Sequence, residues 1–209
     1  MEKARPIEEA FSASLKKLGV DYVDLYLIHN PFWTTEDDEK EFQDKWAQME
    51  AIKASGRAKS IGVSNFIRPQ LEAVLKTAKS PPVINQIEYH PYLQHGDLLS
   101  YLREHNIAVA AYGPLTAVAK AAPGPVDARY NELARKYGVS TGEVALRWCL
   151  DQGIVAITTS SNEQRMKEYQ SKLPSFKLTP KEVEEISELG KQKHFRGFGT
   201  KNYAEDDRR

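Results

Sequence analysis

Apolar side chains recur at helical spacing through Ile7-Glu-Glu-Ala-Phe-Ser-Ala-Ser-Leu-Lys-Lys-Leu18, and Gly19 follows as a natural stop. The next apolar run has no such period. Val, Leu, Ile and Tyr dominate positions 22–28, then His29 and Asn30 precede Pro31. That pattern predicts a strand over 22–29 buried on both faces, with a turn where proline cannot continue the ladder. A polar loop, TTEDDEKE, leads into a helix through FQDKWAQMEAIKAS that Gly56 closes. A short strand over 60–66 (SIGVSNF), a helix near 68–78 and a strand over 82–89 (PVINQIEY) come next. A helix near 97–105 precedes a strand over 106–115 (NIAVAAYGPL), followed by a loop rich in Ala, Pro and Gly. Helices near 126–137 and 141–152 follow, and Ser140 with Glu143 has the spacing of a capping box. A strand over 153–160 (GIVAITTS), a helix near 162–170 and a helix over 178–190 complete the series. Thr179-Pro180 supplies the last helix with an N-cap and a proline at its first position. The polar tail KNYAEDDRR is expected to fray.

Strands alternate with helices and no hairpin signal separates them, which predicts an α/β fold with right-handed parallel crossovers. An open doubly wound sheet and part of an eight-stranded barrel both fit this pattern. The G-x-G-x-x-G fingerprint of dinucleotide folds is absent, which weakens the first. Five parallel strands cannot close a barrel of the usual tilt and shear, which troubles the second.

Composition narrows the function classes. Among 209 residues, 29 basic and 29 acidic side chains balance to zero formal charge. No electrostatic nucleic-acid binder is expected from that balance. The one cysteine, Cys149, excludes an intrachain disulfide and lies in the helical pattern VALRWCL, as a buried structural thiol would. No apolar run approaches a membrane span and no signal-peptide core opens the chain, so a cytoplasmic protein is expected. No metal site is expected.

The predicted strands share one property at their C-terminal ends, where parallel α/β folds place their chemistry. Those ends carry His29 and Asn30; Ser64, Asn65 and Phe66; Gln86, Glu88 and Tyr89; Tyr112 and Gly113; Thr159 and Ser160. Singly, each is a plain polar cap, turn former or core aromatic. Five strands ending alike favour a shared pocket.

At these residues the chain resembles the aldo-keto reductases, NAD(P)H-dependent enzymes on a (β/α)8 barrel. The segments that carry the resemblance are LGVDYVDLYLIHNP, GRAKSIGVSNF, INQIEYHPYLQ, VAAYGPL and TTSSNEQRMKEY, in the family's order and approximate spacing. TTS and the KHFR segment are most similar to the fungal ketoamide and indole-acetaldehyde reductase branch. The resemblance implies that His29 lies beside the carbonyl being reduced, where one imidazole hydrogen bond stabilises charge growing on its oxygen. It implies that Ser64, Asn65 and Gln86 hold the nicotinamide carboxamide, whose neutral amide suits their hydroxyl and amides. Tyr112 is expected to stack on the nicotinamide ring. Gly113 and Leu115 are expected at the pyrophosphate, with Gly113 replacing a frequent Ser. Ser160 and Arg165 match residues that hold a 2′-phosphate, the Arg through a charge-assisted fork. Thr159 stands where a Lys is common, and Tyr169 follows Glu168 where an Asn is common, so that its ring could stack on adenine. NADPH is the expected cofactor, with NADH possible. Phe32 and Trp33 are candidates for an apolar wall over a small-molecule carbonyl substrate, a structural role being equally open.

No position here matches the family's Asp, its general-acid Tyr or the Lys beside it, which belong to the first three βα units. The expectation is therefore a single incomplete domain over 1–209. It would be a partial TIM barrel of strands four to eight with both edge strands unpaired, and the whole protein a monomer. A non-catalytic nucleotide-binding scaffold and a non-functional fragment are the alternatives.

Overall fold

The computed structural model describes residues 6–34 and 38–209; part of the TTEDDEKE loop, residues 35–37, lies outside them. Nine α-helices and five strands are found among the described residues. The strands are β1 (Val23–Ile28), β2 (Ala58–Ser64), β3 (Ile84–Glu88), β4 (Ala108–Tyr112) and β5 (Val155–Ile157). They form one sheet in the order β1-β2-β3-β4-β5, and the registers Leu25↔Ser60 and Tyr112↔Ile157 belong to parallel pairs. This unbroken order has no switch point, so the doubly wound arrangement does not describe these five strands.

The helices are α1 (Ile7–Leu18), α2 (Glu39–Ala54), α3 (Arg68–Leu75), α4 (Leu98–Glu104), α5 (Thr116–Ala119), α6 (Asp127–Tyr137), α7 (Thr141–Leu150), α8 (Glu163–Lys172) and α9 (Pro180–Lys191). Their ends follow the sequence signals. Gly19 caps α1 in the left-handed region at φ 67°. The α7 box joins Ser140 Oγ to the Glu143 N–H and the Glu143 carboxylate to the Ser140 N–H. Thr179 and Glu182 do the same for α9. Two readings change. The Ala-Pro-Gly loop contains the short helix α5. The tail is packed: the Arg196 guanidinium lies 3.7 Å over the Tyr203 ring and Asp207, 9% exposed, pairs with Arg209.

The chain divides into two compact units, Met1–Asn85 with Ser100–Ala108 and Gln86–Leu99 with Val109–Arg209. In the first, Phe11 and Leu15 of α1 and Phe42, Trp46, Met49 and Ile52 of α2 are buried, as are Ile61 and Val63 of β2. Gly62 permits the close approach of strands here, because a Cβ would lie 2.7 Å from the Ile84 carbonyl oxygen. β1 corrects the expectation of a strand buried on both faces. Only Ile28 is buried and Leu25 is 42% exposed. The reason is position: β1 is the first strand of the sheet and, among the described residues, has β2 as its only neighbour. β5, at the other edge, likewise leaves Val155 and Ile157 exposed.

In the second unit Tyr89 stacks on Trp148, with ring centroids 4.9 Å apart and planes 10° from parallel. The Trp148 indole N–H donates to the Val183 carbonyl and to Ser187 Oγ of α9, which joins α7 to α9. Cys149 is buried beside it, and burial raises its thiol well above the ordinary range.

Candidate active site

In the first unit, the end of β2 is built around Asn65. Its backbone takes φ 63°, a region that Asn tolerates better than most side chains because it can hydrogen-bond locally. Its amide Nδ2 donates to the His29 carbonyl at 2.9 Å and to Ser64 Oγ at 3.0 Å. Phe66 is fastened next to it by Asn85, which is fully buried. The Asn85 amide donates to the Phe66 carbonyl at 2.8 Å and accepts from the Phe66 N–H at 3.4 Å. Sequence reasoning missed Asn85; its signal was a buried-strand position occupied by an amide, one residue before Gln86.

The His29 side chain is exposed, and no hydrogen bond to its imidazole is made among the described residues. It borders a cavity of about 240 Å³ shared with Tyr26, Asn30, Trp33, Lys45 and Met49. Trp33 is half-buried and packs against Phe42 and Phe66 at 5.8 and 6.1 Å, so its ring belongs to the aromatic core of this unit. Phe32 is 40% exposed, with its N–H held by Asn30 Oδ1 at 3.1 Å.

In the second unit, Gln86 is half-buried in the middle of β3 and Tyr112 is half-buried at the end of β4. Burial raises the Tyr112 phenol far above its usual range, the neighbouring Glu88 charge adds to this, and a backbone hydrogen bond with Glu88 opposes it. Gly113 turns the chain at φ 64°, a conformation that excludes most side chains, and leads through Pro114 to half-buried Leu115.

The segment after β5 is open. Thr159 and Arg165 are exposed and Ser160 is half-buried. Ser160 Oγ accepts from the Asn162 N–H at 3.0 Å, which leaves the hydroxyl hydrogen to donate. Asn162 caps α8 by accepting from the Arg165 N–H at 3.0 Å. No carboxylate pairs with the Arg165 guanidinium among the described residues. Glu168 accepts from Gln164 at 3.2 Å, and burial raises the phenol of half-buried Tyr169.

Sequence reasoning named Glu88 as a strand-end polar residue but gave it no role. In the structure it is 1% exposed and the centre of a buried cluster. One carboxylate oxygen lies 3.0 Å from His90 Nε2, and the Glu88 carbonyl lies 2.5 Å from His95 Nε2. The signal was present in the alternation Glu88-Tyr-His90, which puts acid and imidazole on the same side of an extended chain.

Among the described residues no three His, Cys, Asp or Glu side chains are grouped to hold a metal ion. No helix among them is long and apolar enough to cross a membrane.

The pattern of the Aldo/keto reductase family matches residues 2–191. The chain belongs to that family. It is 41% identical over 188 residues to the NADPH-dependent alpha-keto amide reductase of Saccharomyces cerevisiae, covering 87% of this chain and 60% of that protein. It is 40% identical over 200 residues to the NAD/NADP-dependent indole-3-acetaldehyde reductase of Schizosaccharomyces pombe, covering 95% and 70%. Among solved structures, the Bombyx mori aldo-keto reductase in complex with NADP matches with a TM-score of 0.77 at 36% identity, covering 87% of this chain and 62% of that one. An aldo/keto reductase from Brucella melitensis matches equally well, with a TM-score of 0.77 at 37% identity over 87% and 66%. The chain spans 60–70% of the length of these two yeast relatives.

Proposed function

We propose that this member of the aldo/keto reductase family carries the carbonyl and nicotinamide side of an NADPH-dependent reductase site. Its five strands would be the fourth to eighth of an eight-stranded barrel, within one reductase domain. The observation that carries this reading is the set of polar and aromatic residues in or just after successive strands of a parallel sheet of consecutive order. His29 follows β1, Asn65 follows β2, Gln86 lies in β3, and Tyr112 ends β4.

The residues present suit a phosphorylated dinucleotide. Arg165 offers an exposed guanidinium without a carboxylate partner among the described residues, and the Ser160 hydroxyl retains its hydrogen. Their charge and donor chemistry suit a 2′-phosphate. Gly113 and Leu115, in the turn after β4, are the candidates to meet a pyrophosphate. Ser64, Asn65 and Gln86 offer the hydroxyl and amides that a carboxamide needs. Bound NADPH supplies hydride. His29 orients the carbonyl of a small aldehyde or ketone by an N–H hydrogen bond and stabilises negative charge on its oxygen. Phe32 supplies an apolar surface next to it.

No residue here matches the family's general acid, and general acid catalysis contributes about 10²–10⁴-fold. We therefore expect these 209 residues to bind NADPH and to reduce a reactive aldehyde only at trace rates. Titration with NADPH and with NADH, followed by tryptophan fluorescence, tests the binding. Arg165→Ala should weaken NADPH by about tenfold and NADH little, because only NADPH has the 2′-phosphate. Absence of binding to either nucleotide would refute the reading. Brisk turnover that survives His29→Ala would refute the role of His29.

A further inference from the structure

We propose that Glu88 is a positioning residue, whose buried carboxylate latches the backbone at Gly197 and Phe198 and so sets the Phe198 ring against Tyr112 and over Gly113. The proposal rests on the reading of Tyr112 and Gly113 as nicotinamide and pyrophosphate contacts.

A carboxylate that is 1% exposed needs several donors to replace the water it has lost. No Lys or Arg side chain pairs with Glu88 among the described residues, and the donors are mostly main-chain. The Gly197 N–H reaches Oε1 at 2.7 Å, the Phe198 N–H reaches Oε2 at 3.2 Å, and His90 Nε2 lies 3.0 Å from Oε1. Two successive amides on the two oxygens of one carboxylate fix both the position and the direction of that backbone.

The segment around the latch is tied at further points. The Phe195 N–H donates to the Tyr92 carbonyl at 3.2 Å. Lys120 Nζ lies 3.4 Å from the Gly197 carbonyl and 3.6 Å from the centre of the Phe198 ring. The Phe198 ring meets Tyr112 edge to face, with centroids 5.5 Å apart at 84°. Its Cε2 would lie 2.8 Å from a Cβ at Gly113, so ring and loop are in close contact. Phe198 is nevertheless 40% exposed, which makes apolar burial a weak force for keeping it there. The carboxylate supplies the directional bonds that burial does not. A Tyr112 ring and Gly113 loop set before the nucleotide arrives give tighter binding, since less ordering remains to be done.

The test uses the whole chain and begins without nucleotide. Hydrogen exchange should find the Gly197 and Phe198 amides the slowest between residues 192 and 209, and Glu88→Gln should speed both by about tenfold or more. Phe198→Ala should leave their exchange slow, because it removes the ring and keeps both N–H groups. In NADPH titrations the two variants should weaken binding alike, and the double variant should be no worse than either. Fast exchange of these amides in the unaltered chain overturns the latch, even if Glu88→Gln does not fold. Weakening by Glu88→Gln with none by Phe198→Ala overturns the role of the ring. If the unaltered chain binds no nucleotide, the proposed function fails, while the latch is still decided by exchange.

Discussion

The ends of β1 and β3 treat a polar side chain in opposite ways. His29 stands exposed beyond the edge strand, with no hydrogen bond to its ring among the described residues, and only its carbonyl is held, by Asn65. Glu88 is buried, and both of its carboxylate oxygens are engaged by Gly197, Phe198 and His90. The backbone at His29 is placed while its ring is left open to a ligand. At Glu88 the side chain itself is the fastening. The same kind of position, a strand's C-terminal end, can therefore present a group or use it up in structure, and burial separates the two.

The contrast predicts that stability resides around the Glu88 side and not in the His29 ring. The largest effect is expected for Trp148→Ala, which removes a fully buried indole, its stacking on Tyr89 and its bonds to α9. About 3–5 kcal/mol should be lost in urea unfolding. A loss below about 1 kcal/mol would show that the second unit is less tightly packed than its contacts imply.

His95 gives the next effect. Burial lowers its imidazole from 6.5 to about 4, although the Glu88 carbonyl opposes this, so the folded protein holds it neutral. The unfolded chain binds a proton near 6.5 and the folded chain does not. This contribution is therefore complete above pH 6.5 and is lost as pH falls towards 4, on the order of 3 kcal/mol across the window. Unfolding measured at several pH values should show that slope, and His95→Gln should flatten it.

A smaller change tests the α9 cap. Burial acts to raise the Glu182 carboxyl, but Lys136, the Thr179 backbone and Tyr137 outweigh it and hold it down to about 2. Its stabilisation is present above pH 4.5 and fades as pH falls towards 2. Glu182→Gln should cost about 1 kcal/mol near neutral pH and reduce the acid slope, as read by thermal melts across that range. The smallest effect is expected at His29. His29→Ala should change stability by less than about 0.5 kcal/mol, because an exposed ring with no hydrogen bond among the described residues leaves little behind. A loss above about 1.5 kcal/mol would make the imidazole structural and erase the comparison.

Much of this was legible in the residues. Among the described residues, periodicity and punctuation located every strand and each α-helix but α5, and the caps at Gly19, Ser140 and Thr179 formed as their local chemistry dictates. Such signals depend on neighbours within one helical turn, so no tertiary information is needed. The candidate site residues were also named from the chain itself, since hydroxyls, amides and a histidine near strand ends are visible in it. What the sequence could not decide was depth and long-range partnership. β1 reads as a fully buried strand because its residues are apolar, yet its exposure depends on how many strands flank it. The polar tail reads as frayed because its composition is solvated, yet Arg196, Tyr203 and Asp207 hold it. Glu88 and Gly197 lie 109 positions apart. Local pattern sets which conformations a segment prefers; only the folded chain decides which groups lose water, and burial is what turned Glu88 from a polar strand end into a latch.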